Sequence, residues 1–256
     1  MKNSSDQESG PENTLPEEQP NKASIGKRFL LLLTQRWPEY VVEIIVVIIG
    51  ITISFAISNY QQDSTDKKLA HIYLQDLRED IKSDIFTLGE TIQQTDSVIL
   101  SGQSLIAQSD SNMSLTKQGL VDLVRSLIRR PNFTSKNATF SSLKTSANFR
   151  LIKDIGLRKL LFEYDQDYQA IKAIEAAELQ ATVTIVGPYI IKSIPLADSR
   201  QASYWVEKLD VEAILGSVEF MNNVALRMGN RKELLESYEE IRNTAVQIDS
   251  AIQRNL

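Results

Sequence analysis

Residues 40–60, YVVEIIVVIIGITISFAISNY, decide the fold of this chain. From Val41 to Ile57 the only ionisable residue is Glu43. The run is too long for a strand, because strands usually have about 3 to 10 residues. As a helix, twenty residues rise roughly 30 Å, which is the thickness of the hydrocarbon core of a bilayer. The stretch therefore predicts a transmembrane helix.

The composition and the flanks of this run favour insertion. Twelve of the residues from 41 to 57 are Val, Ile or Phe, and together they contribute roughly −4 to −7 kcal/mol. Glu43 costs at most about +3 kcal/mol at mid-membrane and less near an end. Trp37 and Tyr40 precede the run and Tyr60 follows it, as in an aromatic belt. We therefore place the span at residues 38–60.

Basic residues lie mainly on the N-terminal side of this span. Four precede it and two follow it closely: Lys22, Lys27, Arg28 and Arg36 before, Lys67 and Lys68 after. The positive-inside rule then places the N-terminus in the cytoplasm. Residues 1–24 are acidic and contain three prolines, which predicts a disordered cytoplasmic tail. Residues 25–37 have basic ends around an apolar block and predict an amphipathic segment in the headgroup plane.

One side of the predicted span carries small and polar residues. Glu43, Gly50, Ser54 and Ser58 share this broad side when each residue turns by about 100°. A small residue every fourth position lets a second helix approach closely. The pattern predicts a contact face for a second copy or for another membrane protein. The alternative is ordinary membrane-helix composition, with Glu43 a tolerated acid near the interface.

Beyond residue 60 the apolar residues recur with helical spacing. They lie three or four apart over one long stretch, which indicates a continuous buried face with a heptad-like, coiled-coil character. The face consists of Ala70, Leu74, Leu77, Ile81, Ile85, Leu88, Ile92, Thr95, Ile99, Gly102 and Ile106. Turn-forming residues at 109–114 end this helix. Shorter helices are predicted at residues 115–130 and 140–146.

The C-terminal half continues the helical pattern. Asp154 is placed to cap a long helix that runs toward Lys192 with an interruption at Pro188. Residues 193–203 are interpreted as a connector, and residues 211–253 as a last long helix with a kink site at Gly229. The chain is therefore predicted to be all-α, with an up-and-down bundle of long helices over residues 61–256.

Residues 179–196 also allow a second span as an alternative. This stretch contains Lys192, Gly187, Pro188 and several polar residues. Its gain on insertion is small, and the lysine alone costs about 3 kcal/mol if it is central. A core helix of the bundle explains the stretch better.

The sequence lacks the parts of the common catalytic and metal sites. It has no cysteine and a single histidine, His71, so it cannot build a His-containing triad with a cysteine nucleophile or a multi-histidine metal site. No glycine-rich phosphate loop is present. We predict no catalytic, cofactor-binding or metal-binding residue and no enzymatic activity. The acids Asp76, Glu79, Asp80 and Asp84 are interpreted as a solvated helix face.

The net charge of −5 is mild and spread out, which does not suggest nucleic-acid binding. One region departs from this balance, because residues 125–159 contain nine basic residues and one acid, Asp154. One interpretation is that these cations complement acidic faces of other helices. The other is a patch for an anionic polymer, lipid headgroup or acidic protein. That patch comprises Arg125, Arg129, Arg130, Lys144, Arg150, Lys153, Arg158 and Lys159, while Lys136 completes the nine.

Four segments together resemble an uncharacterised family of bacterial single-span membrane proteins. They are IIGITISFAISNY, YLQDLREDIKSDI, FSSLKTSANFRLIKD and LRKLLFEYDQDY, and the resemblance covers residues 37–254. Tyr60 stands where that family more often has Trp, and Ala147 where it has Gly. The resemblance implies a cytoplasmic N-terminus, one span and an α-helical domain outside the membrane. It implies no activity and no catalytic residue.

These observations predict a membrane-anchored interaction or scaffold module of the bacterial cell envelope. The N-terminus lies in the cytoplasm, the span in the inner membrane and the helical domain in the periplasm. Its expected partners are the bilayer and, through the span, a second copy or another membrane protein. The alternative is an extracytoplasmic ligand-sensing domain that acts through a separate membrane partner.

Overall fold

The computed structural model describes residues 27, 37–110, 115–146, 148–197 and 199–256. The predicted tail at residues 1–24, nearly all of the juxtamembrane segment at 25–37, and Ala147 lie outside the described residues. The α-helices are α1 (Trp37–Asp110), α2 (Lys117–Leu127), α3 (Ala138–Thr145), α4 (Ile155–Ala181), α5 (Gly187–Ser193), α6 (Arg200–Val206), α7 (Val211–Leu215) and α8 (Val218–Asn255). A 3₁₀ helix, Asn148–Leu151, precedes α4, and a π-helix, Thr182–Val186, joins α4 to α5. The described residues form helices and connections without a strand, which confirms the all-α prediction.

The chain divides into two compact units, residues 1–63 and residues 64–256. In the first unit, residues 37–63 are helical and every side chain is exposed. Among the described residues, α1 is the one helix that is long and apolar enough to cross a membrane. Residues 179–196 do not form such a helix, because they comprise the end of α4, the π-helix and α5. The side chains of Val186, Ile190 and Ile194 are buried in the second unit.

The second unit buries the face of α1 that the helical spacing predicts. Leu77, Ile81 and Leu88 are almost inaccessible. The α8 helix runs antiparallel to α1, since Arg78 contacts Asp249 near one end and Gly102 lies against Met228 further along. It also runs antiparallel to α4, because Asp154 bonds Asn255 while Glu178 contacts Arg231.

Two apolar clusters form the core of this unit. The first core cluster joins α1, α3, the start of α4 and the second half of α8 around residues such as Leu77, Phe140, Leu161 and Ile248. The second core cluster joins the end of α1 to α2, α5, α6 and the start of α8 around Leu105, Val124, Ile190 and Phe220. Every buried residue of either cluster lies at or beyond Leu74.

Side-chain caps explain where several helices begin. Asp154 accepts a hydrogen bond from the amide of Leu157, which confirms the predicted cap. Ser199 caps α6 in the same way, so the predicted connector at 193–203 already contains a helix start. Ser217 caps α8 after Gly216 has ended α7, so the predicted helix at 211–253 is two helices.

The interruption predicted at Pro188 is present and lies just before the proline. Residues 182–186 form the π-helix, in which the amide of Gly187 donates to the carbonyl of Thr182. Proline has no N–H to continue the α-helical ladder and its ring crowds the preceding turn. Widening the helix by one residue at this point accommodates the proline, and the chain continues as α5.

Candidate functional site

The predicted contact face of the span is fully open. Glu43, Gly50, Ser54 and Ser58 are all exposed, and a Cβ added to Gly50 would meet no atom within 4 Å. The Ser54 hydroxyl donates to the carbonyl of Gly50 at 2.9 Å, so its hydrogen bond is satisfied inside the helix. A second helix backbone can therefore approach this face closely, and Ser54 does not require a polar partner from that second helix.

Between the two core clusters lies a layer of charged side chains, which we name the ionic layer. It comprises the buried Glu175, Glu178, Arg227 and Arg231 and the half-buried Arg130. The Glu178 side chain is 1% exposed and lies against three guanidinium groups. Its contacts are with Arg227 Nη1, with Arg231 Nη2 at 2.7 Å and with Arg130 Nε at 3.2 Å. Arg227 and Arg231 are themselves completely buried. Charges this deep are stable only because each one is paired.

Glu175 forms the second half of the ionic layer. Its Oε1 accepts hydrogen bonds from the Tyr238 hydroxyl at 2.7 Å and from the amide of Phe133 at 2.8 Å. Lys172 Nζ lies 2.6 Å from Oε2. Burial, followed by the hydrogen bond to Glu175, raises the pKa of Tyr238 far above its usual range. The hydroxyl therefore stays protonated and remains a donor.

The arginines of the layer also hold the segment that follows α2. Arg227 Nε donates to the carbonyl of Leu127 at 3.1 Å, and Arg231 Nη1 donates to the carbonyl of Pro131 at 2.5 Å. Burial lowers the pKa of Arg227 to about 9 and that of Arg231 to about 10, so both stay charged at neutral pH. The layer thus satisfies carbonyl groups at the end of α2 and just beyond it.

Asp84 holds the same segment further along and corrects an interpretation from the sequence. It is 1% exposed, so it does not belong to a solvated helix face. Its carboxylate accepts hydrogen bonds from the Tyr164 hydroxyl at 2.8 Å, from Ser135 Oγ at 2.5 Å and from the amide of Lys136 at 2.8 Å. Burial, then the charge of Asp84, raises the pKa of Tyr164 far above its usual range.

Asp80, one turn before Asp84, caps α3 from another helix. The residue in front of α3, Asn137, makes no side-chain cap. Instead Asp80 Oδ2 accepts from the amide of Thr139 at 3.3 Å and from its hydroxyl at 2.6 Å. Residues 127–139 are therefore fastened by carboxylates and arginines of α1, α4 and α8.

The buried acidic groups are engaged in contacts within the protein. The carboxylates of Asp84, Glu175 and Glu178 are buried and occupied by donors of the protein itself. Within the described residues no three or more His, Asp or Glu side chains are grouped to hold a metal ion. The cleft beside Asp80, lined also by Tyr164 and Tyr168, has a volume of about 20 Å³, which is room for one water molecule.

The structure separates the eight cations of the predicted anionic-partner patch. Arg125 donates to the carbonyls of Leu196 and Ala197, beside the second core cluster, and Arg130 belongs to the ionic layer. Arg129 is exposed. Lys144 pairs with Asp165 at 3.1 Å. The remaining four, Arg150, Lys153, Arg158 and Lys159, lie together around the start of α4.

The phenylalanines of that region lie in or against the core. Phe133 is completely buried and stacks edge-on against Tyr168 at 5.7 Å. Phe140, Phe149 and Phe162 form an aromatic group with ring centroids 4.8 to 5.8 Å apart. The contacts of Arg130, Lys144 and Arg150 with acids of other helices agree with the first interpretation of the basic region. Binding of an external anion stays a prediction.

The ionic layer was not predicted from the sequence, although a signal for it exists. Glu175 and Glu178 continue the spacing of four and three from buried Ile171, so they occupy seam positions of α4. Arg231 falls likewise between buried Met228 and Leu234 on α8. A charged residue at a position of the buried helix face predicts either a break in the core or a buried ion pair. A partner of opposite charge close to it indicates the ion pair.

Comparison with known proteins gives no relative for this chain: no family model, curated protein or solved structure matches it. The resemblance to bacterial single-span membrane proteins therefore stays a prediction.

Proposed function

We propose that this protein is a membrane-anchored interaction or scaffold module of the bacterial cell envelope, without catalytic activity. The N-terminus lies in the cytoplasm, residues 38–60 span the inner membrane, and residues 61–256 form a periplasmic up-and-down bundle of long helices. The observation that carries the proposal is the apolar surface of α1 before residue 61. Its large side chains are all exposed, with Val46 at 62% and Phe55 at 66%.

Such a surface is unfavourable in water. Burying one Val, Ile or Phe side chain is worth about 1.5–3 kcal/mol relative to leaving it hydrated. Twelve such residues lie between positions 41 and 57, and all of them are exposed among the residues that the structure describes. A bilayer is the environment that removes this whole surface from water, because the helix already satisfies its own backbone hydrogen bonds.

The second unit supports the scaffold part of the proposal. Its buried charges are committed to internal contacts, since Glu178 pairs with three arginines and Asp84 accepts from three donors. A misaligned helix would leave these charges buried without partners, at a cost of several kcal/mol. We infer that the layer fixes the helices in one register and gives the module a constant surface for its partners.

The sensing alternative gains no support from the cleft beside Asp80. Pockets that enclose small molecules usually have about 300–1,000 Å³, whereas this cleft has about 20 Å³. Two open surface concavities, one lined by Ile191 and Trp205 and the other by Ile185 and Leu226, have about 350 and 480 Å³. An interaction module requires no such pocket.

Reporter fusions test the topology. Alkaline phosphatase fused after residue 110 is expected to be active and β-galactosidase at the same point inactive, because only the former works outside the cytoplasm. The opposite pair of results would reverse the orientation. Active phosphatase at 110 with inactive phosphatase at 256 would instead restore the second span at residues 179–196.

A pull-down in mild detergent, followed by mass spectrometry, tests the interaction role. The full chain is expected to retain specific envelope proteins. A matched chain with Gly50→Leu and the fragment 62–256 identify whether the span or the second unit makes the contact. If all three recover nothing beyond an unrelated single-span control, the interaction role is wrong.

A further inference from the structure

The second unit has a basic end at the start of α4. We define the basic end as Arg150, Lys153, Arg158 and Lys159. Asp66 of α1 pairs with Arg150 of this end at 3.0 Å. The Arg150 side chain remains 64% exposed in this pair, so its guanidinium still faces solvent.

Apolar side chains protrude among these cations. Ile155, the first residue of α4, is 73% exposed, and Phe162, two turns later, is 42% exposed. Seven residues bring a helix back to within about 20° of the same direction, so both lie on one side. Lys159 lies about 40° from Ile155 on that side, whereas Leu157 and Leu161 point into the core. Cations around protruding apolar side chains are the pattern of a helix that rests on a lipid surface.

The helix dipole does not favour Lys153, Arg158 and Lys159 at this position. The positive end of the helix dipole lies at the start of α4, so acids there stabilise a helix and cations oppose it. The first turn of α4 contains no acid, and Lys153, Arg158 and Lys159 surround it. Lys144, by contrast, has Asp165 as an ion-pair partner within the fold.

The acids close to the basic end are already engaged. Asp66 pairs with Arg150, and Asp249 pairs with Arg78 at 2.8 Å. Asp154 accepts hydrogen bonds from Asn255 and from the amide of Leu157, and these bonds lower its pKa. Asp66 offsets the charge of Arg150, while Lys153, Arg158 and Lys159 form no ion pair within the described residues.

Chain length brings the basic end within reach of the membrane. Asp66, which bonds Arg150, follows Tyr60 by six residues. Six residues span at most about 20 Å even when fully extended. The membrane that holds the anchor therefore offers anionic headgroups within this distance. A soluble polymer or an acidic protein would have to be recruited.

We propose that the basic end docks on anionic phospholipid headgroups of the membrane that anchors the chain, with Ile155 inserted among them. This inference rests on the proposed anchoring by residues 38–60. Docking holds the second unit against the bilayer, so its orientation depends on the lipid composition and on the salt concentration.

Spin labels on the full chain test the docking. The chain has no cysteine, so Ile155→Cys carries one nitroxide at one site. The labelled protein is reconstituted in vesicles of phosphatidylcholine alone and of phosphatidylcholine mixed with phosphatidylglycerol. Power saturation then compares access to oxygen, which prefers lipid, with access to a water-soluble nickel chelate. We expect nickel access at position 155 to fall severalfold in the anionic vesicles.

Three controls decide what a change means. Raising the salt to 1 M shortens the Debye length to about 3 Å, so nickel access should return. Lys153→Glu combined with Arg158→Glu should abolish the lipid effect, while both side chains lie outside the core. A label at Ser203→Cys, exposed on α6 beside the second core cluster, should not respond to lipid charge.

A label at Ile49→Cys separates the two proposals. If it is water-accessible in both vesicles, the anchor itself is wrong. If Ile49→Cys is buried in lipid but the label at position 155 has equal nickel access in both vesicles, anchoring stands and docking is overturned. Protection at 155 that appears in neutral vesicles only after a soluble anionic polymer is added also overturns docking, because the partner is then a polymer.

Discussion

Residues 37–60 and residues 64–256 distribute apolar and charged side chains in opposite ways. The first stretch exposes Ile, Val and Phe around its whole circumference. The second unit buries two arginines and two glutamates between its apolar clusters and leaves many other charges at its surface. In each case the surroundings of the side chains account for this distribution. A lipid environment suits the apolar surface, and fixed partners replace the hydration of the buried charges.

The two regions differ in how specific a partner their side chains require. An apolar helix surface accepts any hydrocarbon environment, because the hydrophobic effect has no direction. A buried guanidinium is stable only when a carboxylate or carbonyl oxygen lies at hydrogen-bond distance. Glu178 and the carbonyl of Pro131 accept such bonds from Arg231. Substitutions in the ionic layer should therefore destabilise the fold strongly, whereas those on the span should leave the second unit unaffected.

The largest effect is expected from Glu178→Ala, which leaves Arg227 and Arg231 buried without their carboxylate. Removing one partner of a buried pair costs about 3–5 kcal/mol, and two arginines lose a partner here. Urea unfolding of the fragment 62–256, which retains both core clusters, measures the loss. Glu163→Ala, an exposed glutamate on the same helix, is the control and should change stability by less than about 0.5 kcal/mol. Equal effects of the two substitutions would contradict the structural role of the layer.

A slightly smaller effect is expected from Ile81→Asp in α1. Ile81 is buried in the first core cluster, so the substitution introduces an unpaired charge there and costs about 4 kcal/mol. Phe86→Asp is the matched control, because Phe86 lies on the same helix and is 68% exposed. A fragment 62–256 that tolerates Ile81→Asp and not Phe86→Asp would show that the opposite face of α1 is buried.

Two glycine substitutions test how closely the helices of the second unit pack. A Cβ on Gly102 would clash with Cγ of Met228 and would lie 3.2 Å from Cδ1 of Leu127. Gly102→Ala is therefore expected to destabilise the fragment 62–256 by about 1–3 kcal/mol through overpacking. Gly229→Ala meets no atom within 4 Å and should stabilise α8 by about 0.4–1 kcal/mol. Thermal unfolding of both variants should shift in opposite directions, and a shift in the same direction would refute the close contact of Gly102.

The smallest effect on the fold is expected at the span. A Cβ at Gly50 meets no atom of the described residues within 4 Å, so the second unit should keep its stability in Gly50→Leu. If the small-residue face packs against a second copy, the bulky side chain separates the backbones and lowers association severalfold. A membrane two-hybrid reporter carrying residues 25–66 compares it with Thr52→Leu, which lies on the other side of the helix. Equal signals for both variants and for the unaltered chain would exclude a second copy as the partner of this face.

Local pattern was sufficient to predict most helices and the buried face of α1. It was insufficient for Asp84, which was interpreted as solvated and is buried among Ser135, Lys136 and Tyr164. The donors that make burial of Asp84 favourable lie 51 to 80 residues away in the chain. The helix starts at Ser199 and Ser217 were missed for a local reason, because a serine caps a helix only when its backbone is extended at that point.

The sequence by itself determined that the chain is helical, where its long apolar run lies and which positions of α1 face a core. These properties follow from side-chain periodicity and composition, which act over a few residues. Only the tertiary structure decided which charged residues are buried, how residues 127–139 are fastened and which cations gather at the basic end. Those properties depend on groups such as Arg227 and Leu127, which are 100 residues apart, and a local pattern contains no information about a partner at that distance.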